Sequence, residues 1–344
     1  MKTNCLPICL LIALSAFCLP LAFAAQDPPT APQFQQWRLP AQPPHPADNT
    51  PSQARIALGR QLFFDPRLSH EGNMSCASCH NPMLGWSDGL RLARGYHGMQ
   101  LARGTPTIVN SAFNRSQMWD GRAESLEAQA VMALENRAVM NGDVRQFLGW
   151  MAQSSPEYRQ AFQRAYPGEE PGTMTVAKAI ASFERSLVSH NTPFDRWLAG
   201  DAKAMSTAQL RGLALFVGKA SCAQCHAAPH FSDGGFYNIG LASFGAETPD
   251  PGRFAQSPIP LLKGAFKTPS LRDVEFNAPY FHDGSGASLR AVMEHYNSGG
   301  VEHANLSPGI RPLRLSEAEM RDVVAFLKAL SSQGAPAVLP SLPQ

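Results

Sequence analysis

The chain has 344 residues, a formal net charge of +2, 44% hydrophobic residues and seven cysteines. Near-neutral balance over this length argues against nucleic acid or an anionic membrane surface as a partner. Beyond the first two dozen residues no apolar run approaches the roughly 18 residues that span a bilayer, so no membrane span is expected in the mature chain.

Residues 1–24 read as a secretory signal: Lys2, an apolar run from Leu6 to Phe23, and the small-residue pattern Ala22-Phe23-Ala24. Export to the periplasm is the corresponding expectation. The remaining length suits two domains of ordinary size. Residues 25–51 are dense in proline and polar side chains without a helical period, and are expected to form an extended lead-in that carries no site. Cys5, Cys9 and Cys18 fall in the signal, which leaves Cys76, Cys79, Cys222 and Cys225, all inside two Cys-x-x-Cys-His motifs.

Such a motif suits covalent haem. Cysteines three apart on one helical turn reach the two vinyl groups of a porphyrin, and the next residue, His80 or His226, ligates the iron. Paired cysteines also build zinc sites, but zinc leaves a histidine at the same place in both copies unexplained. Disulfides suit an exported chain, yet dithiols at this spacing more often do redox or metal chemistry. Two covalent c-type haems are therefore expected.

The chain repeats itself around these motifs. Gly59-x-x-Leu62-Phe63 precedes the first and Gly212-x-x-Leu215-Phe216 the second. Thr105-Pro106 matches Thr268-Pro269, and 15 residues later Asp120-Gly121 and Ser125-Leu126 match Asp283-Gly284 and Ser288-Leu289. Each half closes on a helix with one apolar face, Ile180, Phe183 and Leu187 or Val323, Phe326 and Leu330, the latter started by the capping box Ser316-x-x-Glu319. The fold expected is mainly α: two tandem cytochrome-c-like helical domains, 52–195 and 196–335. Seven residues after Leu289 stands Tyr296, whereas seven after Leu126 stands Ala133. If this helix crosses the far side of each haem, Tyr296 ligates the second iron and the first stays open.

The sequence from about Pro51 to Ser332 resembles the bacterial di-haem cytochrome c peroxidases and MauG. Besides the haem motifs, the likeness rests on Phe63-Phe64-Asp65-Pro66-Arg67-Leu68-Ser69, Trp119-Asp120-Gly121-Arg122 and Ala278-Pro279-Tyr280-Phe281-His282-Asp283-Gly284. It implies that hydrogen peroxide is reduced at the N-terminal haem and that oxidising equivalents pass through Trp119, between the haems, to the C-terminal one. Tyr296 stands where the peroxidases have methionine and MauG has tyrosine. Gln129 matches a glutamine of the first haem's far side, and His282 a haem-pocket histidine of the second domain. His97 lies in the loop whose histidine occupies the resting first iron of the peroxidases, one residue out of the expected offset.

The departures carry information too. The family's acid–base glutamate would lie 20 residues after Trp119, at Val139, and Glu135, one helical turn earlier, is the first substitute. The family's inter-domain calcium loses an asparagine side chain at Gly104, while Asn277 and Pro279 keep carbonyl positions, so a water would have to replace one ligand. Ala220 replaces MauG's surface tryptophan, which argues against the same protein substrate. Two electron sources follow from the resemblance: a small periplasmic donor, cytochrome c or cupredoxin, or a tryptophan or tyrosine of a partner protein that is oxidised. A di-haem electron carrier without peroxide chemistry is the reading from another class.

Overall fold

The structure, a computed structural model, describes residues 29–332 and 339–344. The signal segment expected at 1–24 lies outside the described residues. In chain order the helices are α1 (Gln53–Phe64), α2 (Cys76–Cys79), α3 (Leu126–Glu135), α4 (Val144–Ser154), α5 (Pro156–Ala165), α6 (Thr173–Ser186), α7 (Pro193–Leu198), α8 (Thr207–Val217), α9 (Leu289–Ser298) and α10 (Glu317–Ala329). Short 3-10 turns link them, and the strands β1 (Phe236–Tyr237) and β2 (Phe266–Lys267) pair antiparallel, Phe236 opposite Lys267. The chain is mainly helical, as the periodicity predicts.

Each half is organised by a glycine. A Cβ at Gly59 would overlap the carbonyl of Ala179, and one at Gly212 the carbonyl of Asp322, so α1 meets α6 and α8 meets α10 backbone to backbone. One turn on, the paired phenylalanines lock each crossing: Phe63 meets Phe183 and Phe216 meets Phe326, both edge-on at 5.2 Å. The repeated Gly-x-x-Leu-Phe is therefore a helix-crossing device. Two hydrophobic clusters grow from these crossings. One gathers Leu58, Leu62, Phe147, Phe162 and Ile180; the other gathers Phe194, Phe231, Val323 and Leu330.

The lead-in differs from the extended arm expected. Residues Ala31–Trp37 form a 3-10 turn that starts at Thr30 and carries a proline in its first turn, which pre-sets the backbone. Phe34 and Trp37, three apart and so on one side of that turn, enter the second cluster, where Trp37 lies 4.6 Å from Phe231 and Phe34 lies 5.9 Å from Trp197. Two aromatics outweigh the polar composition around them. Farther along, buried Asn49 donates to Glu127 Oε1 at 2.8 Å and to the Lys178 carbonyl at 2.9 Å. The lead-in thus begins on one core and ends in the other.

The stretch Phe63 to Ser69 is explained by packing. Buried Asp65 accepts from the Arg67 backbone and guanidinium and from the Tyr158 hydroxyl at 2.7 Å, while the guanidinium lies 4.0 Å over Trp150. This knot fixes the loop that leads into α2.

The halves join through a reciprocal pair of backbone bonds. Gly104 N–H donates to the His282 carbonyl and Lys267 N–H to the Trp119 carbonyl, both at 2.8 Å. Each donor precedes the Thr-Pro of its half, and each acceptor precedes the Asp-Gly of the other, so repeat-equivalent residues exchange equivalent bonds. Arg103 reinforces the junction by bonding Asp120 of its own half and Asp250 of the other, all at 2.8 Å.

Candidate functional site

The first motif lies on α2 and the second on the 3-10 turn Cys222–Gln224. His80 Nδ1 sits 3.1 Å from the Trp86 carbonyl, and His226 Nδ1 sits 3.0 Å from the Phe231 carbonyl. A carbonyl only accepts, so Nδ1 holds the proton in both rings and Nε2 keeps its lone pair. Burial lowers both imidazole pKa values, which keeps the rings neutral. Trp86 and Phe231 reach these positions in the left-handed region, at φ 59° and 60°, so even this strained detail repeats. All four cysteines are free of disulfides, and burial holds their thiols protonated, Cys79 at about 11 and Cys222 at about 12.

A cavity of about 340 Å³ is lined by both His80 and His226 and by Cys222 and Cys225, with Trp119 on its wall. A second, of about 50 Å³, lies against Cys76, Cys79 and His80 and shares Gln129 and Glu184 with the first. The residues fit haem. Each histidine is oriented as a ligand beside its cysteine pair, and the walls offer apolar cover from Ile108, Leu126, Leu289 and Leu327. Lys267 on β2 also lines the cavity. Burial lowers its ammonium pKa to about 8 with no neighbouring carboxylate to oppose that, which suits the acidic side chains of a haem.

Trp119 is held by its ring Nε1, which donates to the Gly104 carbonyl at 2.8 Å, and by its own carbonyl, which receives Lys267 N–H. Its repeat counterpart is His282, 6.5 Å away edge-on, stacked in turn on Phe266 at 3.4 Å. Burial pushes the His282 imidazole down to about 4. The pair therefore stands at the junction of the halves, inside the cavity that both haem motifs share.

Tyr296 on α9 lines the same cavity as His226, together with Val292. Burial raises its phenol pKa, so only a nearby cation would draw out the phenolate. At the equivalent positions of α3, Gln129 and Ala133 line the small cavity beside His80, as do Val139 and Met140. Other expected residues lie elsewhere. Glu135 follows buried Leu134 on α3, where one residue turns the side chain about 100° to solvent, so it is exposed and lines neither cavity. His97 is pinned at the surface at φ 54°, its Nε2 3.3 Å from Glu71, and also lines neither cavity. At the calcium positions, Gly104 is occupied by the junction bonds, and Asn277 Nδ2 donates to the Gly85 carbonyl at 3.0 Å.

Glu184 and Lys267 are among the cavity-wall residues that escaped the sequence reading. For Glu184 the repeat held a signal: it follows Phe183 as Leu327 follows Phe326, so a carboxylate replaces a leucine on matched helices.

Comparison with known proteins agrees with this architecture. Residues 53–203 match the family model described as di-haem cytochrome c peroxidase. The methylamine utilization protein MauG of Methylorubrum extorquens is 45% identical over 309 residues, 90% of this chain and 87% of that protein. The cytochrome-c peroxidase IdrP1 of Denitromonas iodatirespirans is 41% identical, covering 94% of this chain and 92% of its own. The crystal structure of a MauG-like protein associated with microbial copper homeostasis aligns with a TM-score of 0.79 at 31% identity, over 86% of this chain and 95% of that one.

Proposed function

Because the chain belongs to the di-haem cytochrome c peroxidase family, and is thus a peroxidase-type oxidoreductase with two covalent c-type haems, we propose that it reduces hydrogen peroxide at the N-terminal haem and shares the oxidising equivalents with the C-terminal one. One observation carries this reading. Matched helices present Gln129 and Ala133 beside His80 but Val292 and Tyr296 beside His226, in two cavities that share His80, Gln129 and Glu184, the larger one walled by Trp119.

Cys76, Cys79 and His80 would hold the first haem, Cys222, Cys225 and His226 the second, with Lys267 against the carboxylates. The haems supply the redox centres at which the O–O bond is cleaved and two oxidising equivalents are stored. The protein does the rest. Ala133 leaves room for peroxide, and the Gln129 amide offers it or a water a hydrogen bond. The hydroxyl of Tyr296 closes the second site and favours its oxidised states. Trp119, tied at both its ring and its carbonyl, is the aromatic bridge between the sites.

Electrons return from a small periplasmic cytochrome c or cupredoxin in the first reading. Tyr296 and the 45% identity to a MauG favour a second, in which a tryptophan or tyrosine of a partner protein supplies them and is modified. No helix among the described residues is long and apolar enough to cross a membrane. Periplasmic location rests on the signal-like residues 1–24.

Electron paramagnetic resonance of the diferric protein tests the assignment. Half the iron is expected high-spin and half low-spin, with Tyr296→Phe altering the low-spin signal alone. Two low-spin signals that persist after half-reduction would instead make it an electron carrier, and an unchanged low-spin signal in Tyr296→Phe removes the tyrosine ligand.

A further inference from the structure

Val139 and the exposed Glu135 leave the first site without an evident group to move a proton. A carboxyl is nevertheless present. Glu184 lies on α6, is 4% exposed, and lines both the larger cavity and the small one beside His80, Gln129 and Val139. Its Oε2 has no hydrogen-bond partner, although buried carboxyl oxygens are ordinarily satisfied. The guanidinium next to it is already committed, since Arg185 forms a two-pronged pair with Glu127 at 2.7 and 2.9 Å. In the other half the same helix position is Leu327, which also lines the cavity. A leucine there would cost the fold nothing, so a buried unpaired carboxylate on the open side alone points to use.

We propose that Glu184 is the acid–base residue of the first haem site, moving the proton that peroxide cleavage requires in place of the glutamate missing at Val139. This rests on the peroxidase reading above. Burial raises the carboxyl pKa to about 8, against the lowering by Arg185 and with a further rise from Glu127, so the group is largely neutral at pH 7. His80 is neutral through burial, and Cys76 and Cys79 lose their thiol protons on joining haem; no other charged group enters the causes of its shift. In the step, the neutral carboxyl gives its proton to the leaving peroxide oxygen, which departs as water as the O–O bond breaks, and takes the proton of the oxygen that stays. Two electrons enter from the haem pair. The remaining oxygen leaves as a second water with two protons from solvent, giving H2O2 + 2H+ + 2e− → 2H2O, and the donor later replaces the electrons. The relay through Gln129 or a water is short because both line the same space.

The test uses the holoprotein and the variants Glu184→Gln, Glu184→Asp and Glu184→Gln/Val139→Glu. Haem content and the low-spin signal of the second site verify folding. Infrared difference spectra across pH 6–10 should show a protonated-carboxyl stretch titrating in the wild type and missing from Glu184→Gln. Rapid mixing with peroxide should show roughly 10²-fold or greater slowing in Glu184→Gln with loss of its pH dependence. Glu184→Asp should recover part of the rate, and the added glutamate at 139 most of it. If Glu184→Gln is unstable, Glu184→Asp with a displaced carboxyl stretch and pH profile serves the same purpose. Peroxide reactivity that is unaffected by the substitutions, or a missing carboxyl band in the wild type, overturns the role of Glu184. Wild type inert to peroxide overturns the peroxidase reading itself.

Discussion

The two halves use one scaffold and diverge where side chains face the cavity and where the closing helix is tied down. Glycine-mediated crossings, phenylalanine pairs and histidines bonded to left-handed carbonyls recur in both. The cavity-facing triplet is Gln129, Ala133 and Glu184 in the first half and Val292, Tyr296 and Leu327 in the second. The difference teaches that the haem-attachment motifs sit on a shared scaffold, whereas the cavity linings diverge at three positions on two helices. The ties diverge likewise. Glu127 and Arg185 form a buried pair completed by Asn49, while their counterparts Arg290 and Lys328 make exposed bridges to Glu317 and Glu275, and the second core is sealed by Phe34 and Trp37. One half is closed by charge and the other by aromatic packing.

The largest effect should come from breaking the charged tie. Glu127→Ala leaves the Arg185 guanidinium buried and unpaired, and roughly 3–5 kcal/mol of stability should be lost from the first half. Denaturant melts followed through the N-terminal haem check this, and equal loss at the C-terminal haem would mean that the halves unfold as one. The pH dependence has a definite sign. Burial alone would raise the Glu127 carboxyl, but Arg185 and Asn49 together hold it below its ordinary 4.5. Its stabilisation is thus complete above pH 4.5 and lost as pH falls through the lower folded value, and Glu127→Gln should flatten that acid limb.

Removing the aromatic seal should do less and in the other half. Trp37→Ala should cost about 3 kcal/mol, at the low end for a buried tryptophan because the lead-in can shift, and the C-terminal haem should report it. A mutant that melts like the wild type would reduce the lead-in to a passive arm. Smallest, and alike on both sides, are Gly59→Ala and Gly212→Ala, each roughly 1–3 kcal/mol through forced separation of the crossing helices. Unequal losses would show that one crossing has slack the other lacks.

Much of this was legible because it is local. Cysteine spacing within one turn, Gly-x-x-Leu-Phe, the Ser316–Glu319 cap and the register that sets Tyr296 against Ala133 all depend on residues a few positions apart. The sequence therefore determined two haem attachment sites on a repeated helical scaffold, and that their far sides differ. Tertiary structure decided the remainder. The lead-in looked polar until Trp37 met Phe231, His97 and Glu135 looked available until packing turned them outward, and Glu184 stood out only once α6 was laid against the cavity. Burial is a property of what packs on a residue from elsewhere in the chain, and spacing along one strand of sequence does not encode it.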